Sequence, residues 1–201
     1  MHSSSHAGNC LETLLRARRS IRRYSCSPLP ADVLKRVLLA AQGVTSPEGQ
    51  RTAPSAHALY PLRLFVLVRR VDEMAQGLYR YDAENDGLVA LHEQVAAGAL
   101  LSAALSDDQW LEDAAAVVIV GAKREIALHH FADQQPDGKR GARYMDFEAG
   151  AVTQNMYLAV TQAGVGGVVV MGFQDTAMKA ALKLPAKVDP LALFCMGCIE
   201  E

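Results

Sequence analysis

The spacing of apolar positions changes along the chain, and each change marks an element. From Leu11 to Arg19, Leu11, Leu14 and Leu15 fall on one side of a helical period and predict a short amphipathic helix. A turn at Ser27-Pro28-Leu29-Pro30 follows. Pro30 suits the first turn of a second helix, Asp32 favours its positive end, and the helix runs through Val33 to Gln42 and stops at Gly43. Residues 44–57 carry no period and are rich in Gly, Pro, Ser and Thr, so they read as a long loop of the kind that usually serves function. Pro61–Val71 reads as a strand, and Leu78–Asp82 with Leu88–Leu91 as a hairpin about Glu84-Asn85-Asp86-Gly87. Ala96–Leu105 and a segment near Trp110 read as helical, Ala114–Gly121 as a buried strand, Lys123–His130 as a short helix and Phe131–Arg140 as a polar loop. Asp175–Leu182 is expected to be a helix with Asp175 as its N-cap, and Leu191–Ile199 the last strand.

The longest periodic stretch is Arg143–Ala163. Ala149, Val152, Met156, Ala159, Val160 and Ala163 recur at helical spacing, and Ala151, Tyr157 and Leu158 make the other side apolar too. Such a helix lies within a core or between subunits. Ala149, Gly150 and Ala151 are small enough to let a second backbone come close. Gly164 ends the helix, and Val168–Val170 predicts a buried strand after it. Gln154 and Asn155 are adjacent amides in this apolar setting, so they need partners: each other, backbone, or a ligand. Strands and helices mix without strict alternation, which points to an α+β fold with a mostly antiparallel sheet.

With 201 residues and 50% hydrophobic composition, the chain is long enough for one core, completed alone or as an oligomer. Residues 1–10 are expected to be flexible. The formal net charge of −2 gives no general attraction to nucleic acid or to acidic membranes. No apolar run reaches membrane-spanning length, and the start lacks the pattern of a signal peptide, so the cytoplasm is the expected compartment. Cys195 and Cys198 form C-x-x-C inside a strand-like run, without the further ligands a metal needs, and read as small hydrophobes.

Three groups of residues have chemical potential. Arg18, Arg19, Ser20, Arg22 and Arg23 place forked cations and a hydroxyl together, which suits a phosphate or a solvated basic edge. Arg51–Pro61 is a proline-stiffened loop carrying His57, a candidate acid or base. Met171-Gly172-Phe173-Gln174-Asp175 puts a glycine at a strand end, where a flat ligand or another backbone can approach. Neither common nucleotide-binding glycine loop is present.

In order, R-R-S-I-R-x-Y, P-L-x-x-x-x-L-x-x-x-L-x-A-A-Q-G-V-T, R-T-x-P-S-A-x-A-L-Y-P, G-L-Y-R-Y-D, E-A-G-x-x-x-Q-N-x-x-L-A and G-V-G-G resemble the flavin-dependent nitroreductase family, and within it the SagB-type dehydrogenase branch. The resemblance runs from about Leu14 to about Gly197. It implies a nitroreductase-like fold completed as an intertwined homodimer with FMN at the interface. It implies that Arg18, Ser20 and Arg22, with Arg19 alongside, hold the phosphate and ribityl chain, and that Pro54, Ser55, Ala56 and Leu59 come from the partner subunit. Gln154 and Asn155 match the Q-N of the family's central helix near the flavin, and Gly172 would bring its N–H to the ring. The implied activity is reduction of nitroaromatic, quinone or similar flat acceptors by NAD(P)H. The alternatives are oxidation of a peptide azoline or small metabolite, and a non-catalytic flavin-binding member. Three departures stand out. His57 replaces a glycine. Arg143-Tyr144 replaces a Lys-Tyr pair, and arginine is no base. Glu200-Glu201 stands where relatives have a basic residue, with Arg51 or Lys123 as substitutes. His57 and Tyr144 are the candidate catalytic residues.

Overall fold

The computed structural model describes residues 10–92 and 95–200. The flexible start expected for residues 1–10 therefore lies outside them, except for Cys10, which opens the first helix. Strands β1 (Leu62–Val68), β2 (Gly77–Asp82), β3 (Gly87–His92), β4 (Ala116–Ala122), β5 (Gly166–Val170) and β6 (Asp189–Gly197) form a sheet in the order β3-β2-β1-β4-β6-β5. Every neighbouring pair is antiparallel. The helices are α1 (Cys10–Ala17), α2 (Ala31–Gln42), α3 (Ala99–Ala103), α4 (Trp110–Asp113), α5 (Arg124–His130), α6 (Arg140–Gln162) and α7 (Asp175–Ala181).

The central strands are apolar apart from Arg63 and Asp189 because both faces are covered. Successive side chains point to opposite sides, so Leu64, Val66, Val118, Val120 and Phe194 meet α2 and α6 on one face. Phe65, Leu67, Val117, Ile119 and Leu193 meet Leu100, Leu111 and Met178 from α3, α4 and α7, and Leu182 just after α7, on the other. Cys195 is buried in that second layer, where burial pushes its thiol up to about 12. Cys198 lies beyond β6 and is not bonded to it.

Gly43 ends α2 as expected, in an extended conformation (φ −61°), and its glycine is required by space: a Cβ would run into Leu39 Cδ1 and lie 2.7 Å from Leu39 O. Other local expectations are corrected. The helix expected over Ala96–Leu105 shrinks to α3 because Gly98 is left-handed at φ 75°. Asp175 is the first residue of α7, and Gln174 holds the cap position without a side-chain bond. β6 begins at Asp189, with Pro190 tolerated where the register slips against Gly121.

α6 is not enclosed on all sides by its own chain. Met145, Ala149, Val152, Met156 and Val160 are buried, whereas Arg143, Gly150 and Gln154 face outward and Phe147 is 74% exposed. α1 buries none of its residues, and Leu11 and Leu15 remain half exposed. Among the described residues no helix is long and apolar enough to cross a membrane.

Candidate active site

The arginine-rich segment lies along the start of the edge strand β5. The Ile21 N–H donates to Gly167 O at 3.0 Å, and Tyr24 Oη anchors the segment through Ile21 O at 2.9 Å and Cys195 O at 3.2 Å. Burial raises the proton affinity of the Tyr24 hydroxyl, which keeps it a donor. Ser20 Oγ shares a 3.0 Å hydrogen bond with Tyr157 Oη, which also accepts from the Val169 N–H at 3.0 Å. The Arg18 guanidinium lies 4.9 Å from the centre of the Tyr157 ring, and that of Arg22 lies 5.8 Å from the Trp110 ring. Arg19 turns back to Arg16 O and Arg18 O, both at 2.8 Å, so its fork is partly committed to the end of α1. Among the described residues no carboxylate pairs with Arg18, Arg22 or Arg23. Ser20, Arg22 and Arg23 line an open hollow of about 410 Å³ together with Glu200. β5 leads from here to Met171 and Gly172, both exposed, and a Cβ on Gly172 would meet nothing within 4 Å. The room over that strand end suits a flat ligand, although the single chain does not demand glycine there.

The proline loop sits elsewhere. Pro54, Ser55 and Ala56 join Arg143, Tyr144, Phe147 and Glu148 around a mainly apolar pocket of about 450 Å³. Glu148 fixes the loop. Its Oε1 accepts from Ser55 Oγ at 2.9 Å and from the Ala56 N–H at 3.0 Å, and the Tyr60 N–H donates to Ser55 Oγ at 2.8 Å. Oε2 is buried and has no hydrogen-bond partner among the described residues. Burial raises the proton affinity of this carboxyl, and the bonds from Ala56 and Ser55 partly offset the rise. Sequence reasoning gave Glu148 no role. The available signal was a lone carboxylate at helical spacing between Met145 and Val152, on the stripe that faces the core. Leu59 packs against the core beside the pocket.

His57 adopts left-handed angles (φ 52°, ψ 25°), as do Ala58 and Tyr60 at φ 51° and 45°. Its Nδ1 lies 3.0 Å from His130 Nε2, a contact that needs one proton between the rings. Phe131 packs edge-on against His57 and also against Tyr144, whose hydroxyl donates to Gln134 Oε1 at 3.1 Å.

The amide pair divides. Asn155 Nδ2 donates to Ala40 O at 2.9 Å and to Thr52 O at 3.4 Å, stapling α2 and the loop root to α6. Gln154 is exposed on the outer face of α6. Arg51 is engaged with Glu84 Oε1 at 3.0 Å and the Tyr60 ring at 4.7 Å, away from the Arg18 cluster. The two halves of the candidate site meet different ends of α6, at Tyr157 and at Glu148. Nine residues of helix separate them by about 13 Å. Among the described residues no group of three potential metal ligands is gathered.

A family model, the nitroreductase family, matches residues 15–198. MJ1384 of Methanocaldococcus jannaschii, a nitroreductase by name, is 38% identical over 187 residues, 93% of this chain and 90% of that protein. The crystal structure of a nitroreductase by name from Ralstonia eutropha JMP134 superposes with a TM-score of 0.77 at 25% identity, covering 95% of this chain and 83% of that one. A chain of the Escherichia coli microcin synthetase McbBCD complex, with truncated pro-MccB17 bound, shares the fold at a TM-score of 0.75 and 22% identity, covering 100% of this chain and 74% of that one. The chain belongs to the nitroreductase family of oxidoreductases.

Proposed function

We propose that the protein is a cytoplasmic, homodimeric, FMN-dependent oxidoreductase that uses NAD(P)H to reduce flat acceptors such as nitroaromatics and quinones. The observation that carries this reading is the Arg18–Ser20–Arg22 cluster: guanidinium groups with no carboxylate partner among the described residues, beside a hydroxyl, alongside the strand β5 that leads to the open edge at Gly172. That donor set fits a phosphate, which takes several forked, charge-assisted bonds. Bound there, a flavin supplies hydride acceptance from a nicotinamide and hydride donation to the acceptor. The chain's own residues bind and orient. Arg18 and Arg22 would neutralise the phosphate, Ser20 would offer a hydroxyl held by Tyr157, and the open backbone at Gly172 would leave room for a flat ring. Pro54, Ser55 and Ala56, fixed by Glu148, form a rigid apolar wall that excludes water.

A single chain keeps that wall about 13 Å along α6 from the arginine cluster. A second copy, seated on the exposed outer face of α6, would bring the two together. Oxidation of a peptide ring needs a base at the pocket. An arginine, Arg143, is no such base, and the Tyr144 hydroxyl is engaged with Gln134, so reduction is the better-supported direction.

Fluorescence titration tests the phosphate assignment. FMN should bind the wild type about tenfold to a hundredfold more tightly than it binds Arg18→Ala or Arg22→Ala. Riboflavin, which lacks the phosphate, should bind all three alike. Equal FMN affinity across the three proteins would refute the assignment.

A further inference from the structure

A second cationic hollow lies where the end of α2, the root of the proline loop and the β2–β3 turn meet. It measures about 210 Å³, and Gln42, Arg51, Arg63, Arg80, Asp82 and Glu84 stand on its wall. Several of its donors have no acceptor among the described residues. Gln42 is only 4% exposed, and its side-chain amide makes no hydrogen bond to them. The Arg51 Nε is buried and finds no partner among them. Arg80 makes no ion pair with them, although, after the hydrogen bond from Asn85, its charge helps hold the Asp82 carboxyl below the usual range. Arg63 donates Nη1 to Tyr60 O and Leu62 O, both at 2.7 Å. Burial pulls its guanidinium below the usual range, and the charges of Arg51 and Arg80 pull it further, with Glu84 opposing. Of the two carboxylates, Glu84 pairs with Arg51 Nη2 at 3.0 Å and is 67% exposed. Asp82 accepts from Asn85 Nδ2 at 3.0 Å. Three guanidiniums face two carboxylates, so the hollow carries excess positive charge in a place partly shielded from water.

We propose that this hollow binds a small oxyanion of the phosphate class. Such a ligand brings several acceptors and few or no donors, which is what the Gln42 amide, the Arg51 Nε–H and the Arg80 fork lack. The volume accommodates inorganic phosphate with ordered water, or the phosphoryl end of a small ester. The site is separate from the Arg18 cluster. Arg63 and Arg80 belong to β1 and β2, whereas Ser20 and Ile21 flank β5, three and four strand spacings away, about 14 Å and about 19 Å across the sheet. Because Arg51 opens the proline loop, a bound anion would join the root of that loop to β1 and β2.

The test is a titration of the full chain with inorganic phosphate at ionic strength held constant with chloride, followed through the Arg80 Nε–H and Gln42 side-chain amide resonances. Saturable shifts of both are expected. Arg80→Ala should weaken binding, read on the Gln42 amide, by about tenfold. Arg22→Ala, which removes a residue of the other cluster, should leave these shifts unchanged, so failure here is distinguishable from failure of the FMN assignment. A titration with glycerol phosphate separates the sources: tighter binding than phosphate identifies an ester site, and equal or weaker binding a site for the free ion. No saturable shift, or equal affinity in Arg80→Ala, overturns the proposal.

Discussion

At the scale of single residues, His57 and Glu148 are each held in a state their surroundings impose. His57 occupies a left-handed conformation at φ 52°, which costs a side chain with a Cβ about 1–2 kcal/mol. Glycine has no such strain but loses about 0.5–1 kcal/mol more on ordering. His57→Gly is therefore expected to stabilise the fold by about 0.5–1 kcal/mol, visible as a higher midpoint in thermal melts. A lower midpoint would mean that the contact with His130 outweighs the strain. Glu148 yields a pH prediction. Its proton is held more tightly in the folded chain than in the unfolded one. Its contribution to stability is thus fully present below the ordinary carboxyl range and lost as pH rises through the raised one. Glu148→Gln keeps an acceptor for Ser55 and Ala56 and should flatten that part of the pH–stability curve. Equal slopes in variant and wild type would contradict the burial account. Neither state was legible in the sequence. A histidine in a glycine's place is visible there, but its φ is not, and the bond from Glu148 to Ser55 spans 93 residues of chain.

At the scale of elements, periodicity found every strand and every longer helix, because apolar spacing is set by which face each element buries. It erred where one backbone residue decides, as at Gly98. One chain leaves the outer face of α6 exposed, so of the two settings expected for this helix a place between subunits remains the proposal. Phe147, at 74% exposure, and the half-exposed leucines of α1 are apolar surfaces that the second copy of the proposed dimer would cover. Placing a charge there is costly only if that copy exists. Phe147→Glu should shift the protein from dimer to monomer in analytical ultracentrifugation at low concentration and leave its circular dichroism unchanged. A variant as dimeric as the wild type would move the interface off this face.

At the scale of the whole molecule, the order of motifs revealed the family before any coordinates did, because several short patterns recur at the right intervals over nearly the full chain. It did not reveal how one chain distributes them. The arginine cluster and the proline loop meet opposite ends of α6, and Asn155, matched to the flavin region by resemblance, serves as a staple between α2 and the loop root. These facts follow from packing between distant segments, which local spacing does not encode. The central claim is that a flavin held by Arg18, Ser20 and Arg22 carries electrons from a nicotinamide. The most direct measurement is the visible absorption spectrum of the protein with FMN, taken anaerobically before and after NADH or NADPH is added. The account predicts bound flavin whose visible band bleaches with at least one donor and returns when a quinone or nitroaromatic is added. Flavin that fails to bind, or that stays oxidised with both donors, would contradict it.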